Sequence, residues 1–228
     1  MSDHVRDLAT LREATDRLLT AVGKLDNAAL AAPSRLPGWT RGHVLAHLSR
    51  NADALVNVFA GRPMYASAAD RDGDIERDAP RPQPEQLADL RESADRFLEA
   101  ASVDADWSRT VELRNGITDT ASRVPFRRLI EVELHHVDLD IGYELEDLPT
   151  DFTQREITFL ADRFSGNTHV PQIAITATDG GQWTTGRADD DVISVIGPAA
   201  DILGWLAGRR EGAGLDCDGG LLPVLPAL

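Results

Sequence analysis

The sequence is poor in cysteine, in positive charge and in long apolar runs, and each shortage excludes a class of protein. The single cysteine, Cys217, cannot form an internal disulfide, and a chain without a CxxC pair cannot build a thiolate-rich zinc site. Asp and Glu outnumber Lys and Arg by 38 to 23, which gives a net charge of −15. Because this charge repels phosphates, we expect no nucleic acid and no anionic membrane surface as a partner.

Nothing in the chain has the length and hydrophobicity of a membrane span or of a secretory leader. The N-terminus lacks the apolar core of a signal peptide, and no segment approaches about 18 uninterrupted apolar residues. We therefore expect a cytoplasmic protein. A chain of 228 residues is long enough for one large domain or two small ones, and either can bury a substantial core.

Apolar residues at helical spacing predict four helices in the first part of the chain. The predicted helices cover residues 7–25, 40–60, a stretch introduced by Pro84, and 125–144. Thr40 is the predicted N-cap of the second helix. Four helices with polar residues on their inward faces favour a bundle, a fold in which metal sites are built from facing helices.

The link between Met64 and Pro84 is long and rich in charge, which predicts either a mobile loop or a wall of the active site. The acidic run at residues 70–74 resembles a calcium loop only superficially, since it lacks a bidentate glutamate at the required offset. We interpret this run as a solvated loop.

The pattern changes to that of an α/β structure after residue 149. A helix is predicted over 152–164, a strand over 172–178 with a hairpin partner at 182–185, a third strand over 191–196, and a last helix that runs through Leu206. The sequence therefore predicts a two-domain α+β protein. Its parts are a four-helix bundle at residues 1–149 and a small α/β domain at residues 150–228.

Glu131 and His135 on the fourth predicted helix are four residues apart and so share one face. The acidic residues 133, 140, 144 and 147 fall on the opposite arc, which we predict to be the solvent face. The pair is then expected to point into the core, together with Asp138. A carboxylate and an imidazole without strong partners would cost several kcal/mol there, and a divalent cation would compensate them.

His47 on the second predicted helix is the candidate third ligand. Two histidines and one acid from two helices are the ligand set of a catalytic metal site with an open position. Without a metal, Glu131 and His135 would be a buried hydrogen-bonded pair, and His47 would bond a backbone carbonyl. His43 also has metal-pair spacing to His47, but it lies nearer the polar boundary of the helix.

Three further polar residues lie close to these candidates in the helical pattern. Asn51 and Asp138 either orient the ligands from behind or form buried polar bridges between helices. His136 lies near the predicted solvent arc, so we interpret it as a surface residue.

Several segments together resemble the mycothiol-dependent maleylpyruvate isomerase family. They are GWTRGHVLAHLSRNA, RPMYASAADRDGDIER, the helix that carries Glu131 and His135 with the following Val-Asp-Leu, and the late GWLAGR. The resemblance covers nearly the whole chain and implies a DinB-like four-helix bundle followed by a C-terminal α/β domain. It also implies that His47, Glu131 and His135 are the metal ligands and that Arg209 is needed for activity, although Arg210 follows it directly.

The resemblance further implies a reaction and two cofactors, a divalent metal ion, which we expect to be zinc, and mycothiol. A metal-bound thiolate would add to the cis double bond of maleylpyruvate, and rotation followed by elimination would give fumarylpyruvate. The substrate is a small dicarboxylate, so Arg209 and, one turn before Glu131, Arg128 are candidates to hold its carboxylates. Arg209 has an alternative role at carbonyls of a helix end.

Two other functions stay open from the sequence. One is a different metal-dependent mycothiol S-transferase on the same scaffold, with altered pocket arginines. The other is a non-catalytic binding protein, in which the acidic core pair is structural. Metal content separates the second from the enzymes, and turnover of maleylpyruvate with mycothiol separates the first.

Overall fold

A computed structural model of the chain describes residues 3–188, 191–218 and 220–226. They form two compact units, Met1–Tyr143 and Glu144–Leu228. The first unit is helical and the second is an α/β structure, so the predicted fold class is confirmed. The predicted domain boundary at residue 149 stays a prediction. None of the described helices combines the length and the hydropathy required to cross a membrane.

The described residues of the first unit contain four long helices and two short ones. In chain order they are α1 (Asp3–Val22), α2 (Asn27–Ala31), α3 (Arg41–Phe59), α4 (Ala68–Asp78), α5 (Gln83–Ala100) and α6 (Val124–Asp138). The four predicted helices correspond to α1, α3, α5 and α6. Helix α6 ends six residues earlier than predicted, because Asp140 (φ 54°) and Gly142 (φ 88°) take left-handed backbone conformations that an α-helix cannot continue through.

Helices α1, α3, α5 and α6 pack as a four-helix bundle, in which α3 contacts α5 and α6, and α1 contacts α5 and α6. Leu18, Leu45 and Leu129 are completely buried between them. The entry of α3 is a close approach that depends on a glycine. A Cβ atom at Gly42 would lie 2.3 Å from the carbonyl oxygen of Ala79, so α3 can pass the end of α4 only without a side chain there.

The prediction of a loop between Met64 and Pro84 is wrong for most of that segment, which forms α4. Ser67 is the N-cap, and its hydroxyl accepts a hydrogen bond from the N–H of Asp70 at 3.1 Å. Ile75 anchors the helix in the core. The acidic run 70–74 is therefore helical. The sequence of this segment looks like that of a loop because its many charged residues mask Ile75, the apolar residue that α4 buries.

A short antiparallel hairpin precedes α6, formed by β1 (Thr110–Glu112) and β2 (Thr118–Thr120), with Thr110 opposite Thr120. Its strands have three residues each, too few to show a two-residue period, so they were not predicted.

In the described residues of the second unit, two α-helices accompany a four-stranded sheet. The elements of this unit are α7 (Thr150–Phe164), β3 (Ile173–Ala177), β4 (Gln182–Thr185), β5 (Ile193–Gly197), α8 (Ala199–Leu206) and β6 (Asp216–Cys217). The strand order is β4-β3-β5-β6, with β3 and β5 parallel and the outer pairs antiparallel. The predicted helices and strands are confirmed, whereas β6 was not predicted.

Candidate metal centre

Helices α3 and α6 bring the three predicted ligands together. His47 lies on α3, and Glu131 and His135 lie one turn apart on α6. One ligand atom from each residue can be chosen so that all three lie within 4.8 Å of one another. Oε2 of Glu131 accepts a hydrogen bond from Nε2 of His47 at 3.0 Å and lies 3.2 Å from Nε2 of His135. The three residues are referred to below as the triad.

The start of α3 explains why His47 and not His43 belongs to the triad. Thr40 caps the helix by accepting a hydrogen bond from the N–H of His43, and Nδ1 of His43 accepts one from the N–H of Thr40 at 3.2 Å. The other ring nitrogen of His43 lies 3.4 Å from Glu76. His43 thus acts as a capping residue, and His47, one turn further on, faces α6.

Both imidazoles are oriented by a second polar group. Nδ1 of His135 donates to Oδ2 of Asp138 at 2.8 Å, and the carboxylate of Asp138 is completely buried. Nδ1 of His47 lies 3.3 Å from Nη2 of Arg71. Because a guanidinium only donates hydrogen bonds, Nδ1 of His47 is the acceptor, and its proton is on Nε2. Asp138 thus contacts His135 within α6, and its role in orienting a metal ligand stays a prediction.

The triad is partly open to solvent. The side chains of His47 and His135 are 8% and 12% exposed, whereas that of Glu131 is 31% exposed. The ring of Trp39 lies 5.6 Å from that of His47 and covers it on one side. Glu131, which was predicted to point into the core, is thus half-buried and is the most exposed residue of the triad.

The protonation of the triad follows from burial and from its hydrogen bonds. Burial acts to raise the pKa of Glu131, but hydrogen bonds from His135 and His47 outweigh it and place the pKa well below its usual range. Burial acts to lower the pKa of His135, yet its contacts with Asp138 and Glu131 raise it. Burial lowers the pKa of His47 despite its hydrogen bond to Glu131. The site thus favours a charged Glu131 and a neutral His47.

This charge distribution fits a divalent cation. The carboxylates of Glu131 and Asp138 flank His135, which places two negative charges around one imidazole and favours positive charge at this position. A metal ion bound there would supply that charge and would replace the proton on Nε2 of each histidine. Two imidazole nitrogens and one carboxylate oxygen are a donor set that zinc accepts, with a further position open.

Of the residues predicted for the solvent arc, Glu133 on α6 is buried instead, whereas Asp140 and Asp147 are exposed beyond the end of the helix. Glu133 is completely buried, where it accepts hydrogen bonds from Arg17 on α1 and from the hydroxyl of Tyr143 at 2.9 Å. His136 was predicted to be a surface residue, but it is buried and stacks on Tyr143 with ring centroids 4.1 Å apart. The reason is that α1 covers this face of α6, and Arg17 compensates the charge that made the face look solvated.

Arg128 and Asn51 form a buried polar bridge between α6 and α3. Nη1 of Arg128 donates to the amide oxygen of Asn51 at 2.8 Å. Arg128 is 2% exposed, and burial lowers its pKa to about 10, even though Glu131 acts in the opposite direction. Of the two roles predicted for Asn51, the structure shows the bridge. The role of Arg128 toward a substrate stays a prediction.

The two late arginines lie beyond α8 in the second unit. Nη1 of Arg209 donates to the carbonyl oxygen of Ala207 at 2.7 Å, a contact at the end of a helix. The guanidinium of Arg210 binds Asp201 at 2.7 Å and Glu146 at 2.8 Å. Arg210 is thus engaged by two carboxylates.

Sequence analysis missed two residues beside the triad, Arg71 and Tyr65. The phenol of Tyr65 is hydrogen-bonded to Arg71, and burial, followed by the charge of Glu131, raises its pKa. A signal for this part of the site was present. Ser67 followed three residues later by Asp70 is a capping pattern, and it would have predicted that α4 begins there and turns Arg71 toward α3.

A helical bundle that gathers two histidines and a glutamate from facing helices defines a class of metal-binding protein. The family model described as the mycothiol maleylpyruvate isomerase N-terminal domain matches residues 11–140, which is more than half of the chain and includes the whole triad. The chain therefore belongs to this family.

Two solved structures are similar to the chain over almost its full length. They are a crystal structure of the mycothiol-dependent maleylpyruvate isomerase and one of a histidine-to-alanine mutant of that enzyme. Each has a TM-score of 0.89 and 24% sequence identity, and the similarity covers 99% of this chain and 97% of the other. At this identity the comparison shows a shared fold. The comparison with curated proteins found no match.

Proposed function

We propose that this protein is a metal-dependent enzyme that uses mycothiol to convert maleylpyruvate to fumarylpyruvate. The observation that carries the proposal is the triad of His47, Glu131 and His135, which lies within the segment that matches the family model. The similar crystal structures are of an enzyme with that substrate and that thiol in its name.

The triad residues would hold the metal, which we propose to be zinc. A divalent ion bound there would supply a positive charge that lowers the pKa of a thiol in its open position. Asp138 keeps a proton on Nδ1 of His135, and this leaves Nε2 as the coordinating nitrogen. Glu131, the most exposed member, contributes the negative charge and borders the opening.

In the proposed reaction the thiol is that of mycothiol, and the triad itself contains no cysteine. The thiol of Cys217 donates a hydrogen bond to the carbonyl oxygen of Leu221 at 3.3 Å in the second unit. Replacement of Cys217 by serine keeps that hydrogen bond, so we expect full activity from the variant. Loss of turnover in a folded Cys217→Ser protein that retains its metal would contradict the assignment of the nucleophile to mycothiol.

The direct test is an absorbance assay of maleylpyruvate with and without mycothiol. We expect isomerisation that requires both the thiol and a metal-loaded protein, and we expect its loss in Glu131→Gln. Mycothiol adducts of other electrophiles without isomerisation would indicate the S-transferase function. Absence of metal and of any thiol-dependent reaction would indicate a non-catalytic binding protein.

Arg209 is the proposed second-unit contributor to binding of the dicarboxylate. Arg209 is the arginine that ends the GWLAGR segment, one of the segments that carry the resemblance to the family. Its neighbour Arg210 is bound by Asp201 and Glu146. A guanidinium binds a carboxylate in a bidentate manner that lysine does not reproduce.

Kinetic constants of three variants test this role. Arg209→Ala and Arg209→Lys should both lower kcat/KM, by about 2–3 kcal/mol of transition-state stabilisation for alanine, as for a charged hydrogen-bonding partner. Metal content should not change. A larger loss in Arg210→Ala than in Arg209→Ala would move the role to the neighbouring residue, and normal kinetics in all three variants would exclude it.

A further inference from the structure

A cavity of about 500 Å³ opens in the first unit between the α3–α4 link and the β1–β2 hairpin. Residues 61–68 and residues 109–116 supply most of its lining. Small-molecule sites have volumes from roughly 300 to 1,000 Å³, so this cavity is of the right size for a metabolite. It is separate from the triad residues, none of which lines it.

The walls of the cavity are tied together by hydrogen bonds, which makes it preformed. The N–H of Arg114 donates to the sulfur of Met64 at 3.1 Å and so joins the hairpin to the α3–α4 link. Nη2 of Arg109 donates to the carbonyl oxygen of Phe59 at 2.7 Å, at the end of α3. The hairpin itself closes through a 2.7 Å hydrogen bond from the N–H of Leu113 to the carbonyl oxygen of Ile117.

The lining is positively charged although the protein is strongly acidic. It contains three arginines, Arg62, Arg109 and Arg114, against one acid, Glu112, a local charge of +2 in a chain of charge −15. The guanidinium groups of Arg62 and Arg114 make no hydrogen bond or ion pair with any residue in the described part of the chain. A planar guanidinium without a partner is suited to bidentate binding of a carboxylate.

Tyr65 connects this cavity to the triad. Its side chain lines the cavity, and its phenol is hydrogen-bonded to Arg71, whose Nη2 lies 3.3 Å from the ring of His47. A chain of contacts through Tyr65 and Arg71 thus joins the wall of the cavity to His47 of the triad.

We propose that this cavity binds the carboxylate end of the electrophile, with Arg62 and Arg114 as specificity-determining residues that restrict the enzyme to small anionic substrates. This rests on the proposed function, in which the thiol reacts at the triad. Both arginines are exposed to solvent, and neither a neutral electrophile nor a neutral sugar would form an ion pair with them. A carboxylate pairs with them, and its binding to an acidic protein requires such a local excess of positive charge.

Calorimetry on the full-length, metal-loaded protein tests the proposal with glutarate, a dicarboxylate that has no double bond to react, and with its neutral diamide. The variants are Arg62→Ala, Arg114→Ala, Arg114→Lys and the double alanine variant. Arg91→Ala is the matched control, since Arg91 is an exposed arginine on α5 that does not line the cavity. Metal content and KM for maleylpyruvate are measured on each protein.

We expect glutarate to bind more tightly than the diamide to the wild-type protein. Each alanine variant should lose about 10-fold in glutarate affinity, as for one charged hydrogen-bonded pair, and the double variant should fall to the level of the diamide. Arg114→Lys should recover part of the loss, and KM for maleylpyruvate should rise in parallel while kcat and metal content stay unchanged.

Two results would overturn the proposal: equal binding of glutarate and the diamide to the wild type, or a double variant that behaves as Arg91→Ala does. Loss of metal from the arginine variants would also overturn it, because it would assign these residues to the metal centre. Failure of the proposed function gives a different result, namely arginine-dependent binding of glutarate without turnover of maleylpyruvate in any protein.

Discussion

Replacement of Asp138 by asparagine tests how much the residue behind His135 contributes to metal binding. Asp138 touches none of the space that a ligand would use, since its carboxylate is completely buried and accepts the hydrogen bond from Nδ1 of His135 at 2.8 Å. Asparagine has the same size and retains an oxygen that can accept this hydrogen bond. The substitution therefore removes the charge behind His135 and leaves the shape of the site intact.

The size of the effect follows from the role of such orienting groups. A carboxylate behind a metal-binding histidine fixes the ring and raises the basicity of its other nitrogen, and its loss costs about 10–100-fold in metal affinity. This range corresponds to about 1.4–2.8 kcal/mol. The lower half of the range is expected for asparagine, because the hydrogen bond itself can persist. Alanine at the same position should reach the upper half.

Competition with a chelating metal indicator measures zinc affinity for wild type, Asp138→Asn and Asp138→Ala. Asp95→Asn is the matched control, since Asp95 is exposed on α5 and the chemical change is the same. Thermal unfolding of the metal-free proteins shows whether the fold is kept. Wild-type zinc affinity in both Asp138 variants would refute the reasoning, because His135 would then not depend on Asp138 for its orientation.

Two further predictions concern the bundle. Gly42→Ala should lower the free energy of unfolding by about 1–3 kcal/mol, because its Cβ would meet the carbonyl oxygen of Ala79, whereas Gly73→Ala, in open space on α4, should raise it by about 0.5–1 kcal/mol. Denaturant unfolding of the two variants measures both changes, and equal effects on the free energy of unfolding would contradict the prediction. Arg17→Met should destabilise by about 2–3 kcal/mol, since it leaves Glu133 buried without its ion-pair partner, and adding Glu133→Gln should recover part of the loss. Additive effects in this double-mutant cycle would refute the coupling.

The sequence was sufficient to predict the parts of the site that depend on helical periodicity. Glu131 and His135 share a face of α6 because they are four residues apart, and His47 follows from the N-cap at Thr40 and the apolar stripe of α3. Each of these inferences uses one helix at a time. The resemblance to the family then selected this set of residues from the alternatives.

The features that the sequence could not predict depend on contacts between elements. The acidic arc predicted a solvent face, and Asp140 and Asp147 are exposed, but Glu133 pairs with Arg17, more than a hundred residues away in the chain, and is buried under α1. The same packing buries His136. A pattern within one helix carries no information about the charge on the helix that will cover it.

The second kind of failure concerns short elements. Helix α4 has eleven residues with two of them buried, and the strands of the β1–β2 hairpin have three each, so neither shows a clear hydrophobic period. Arg71 lies on α4, and Tyr65 and Arg62 precede it. Arg109 and Arg114 lie on either side of β1. The surroundings of the metal centre were therefore less predictable than its ligands.

The most direct test of the account is the metal content of four purified proteins after reconstitution with zinc: wild type, His47→Ala, Glu131→Gln and His43→Ala. His43 is the control, since it is a histidine one turn from His47 on the same helix but serves to cap α3. The account predicts one divalent ion per chain in wild type and His43→Ala, and its loss from His47→Ala and Glu131→Gln. Equal metal content in all four proteins would contradict the assignment of the metal centre to these residues.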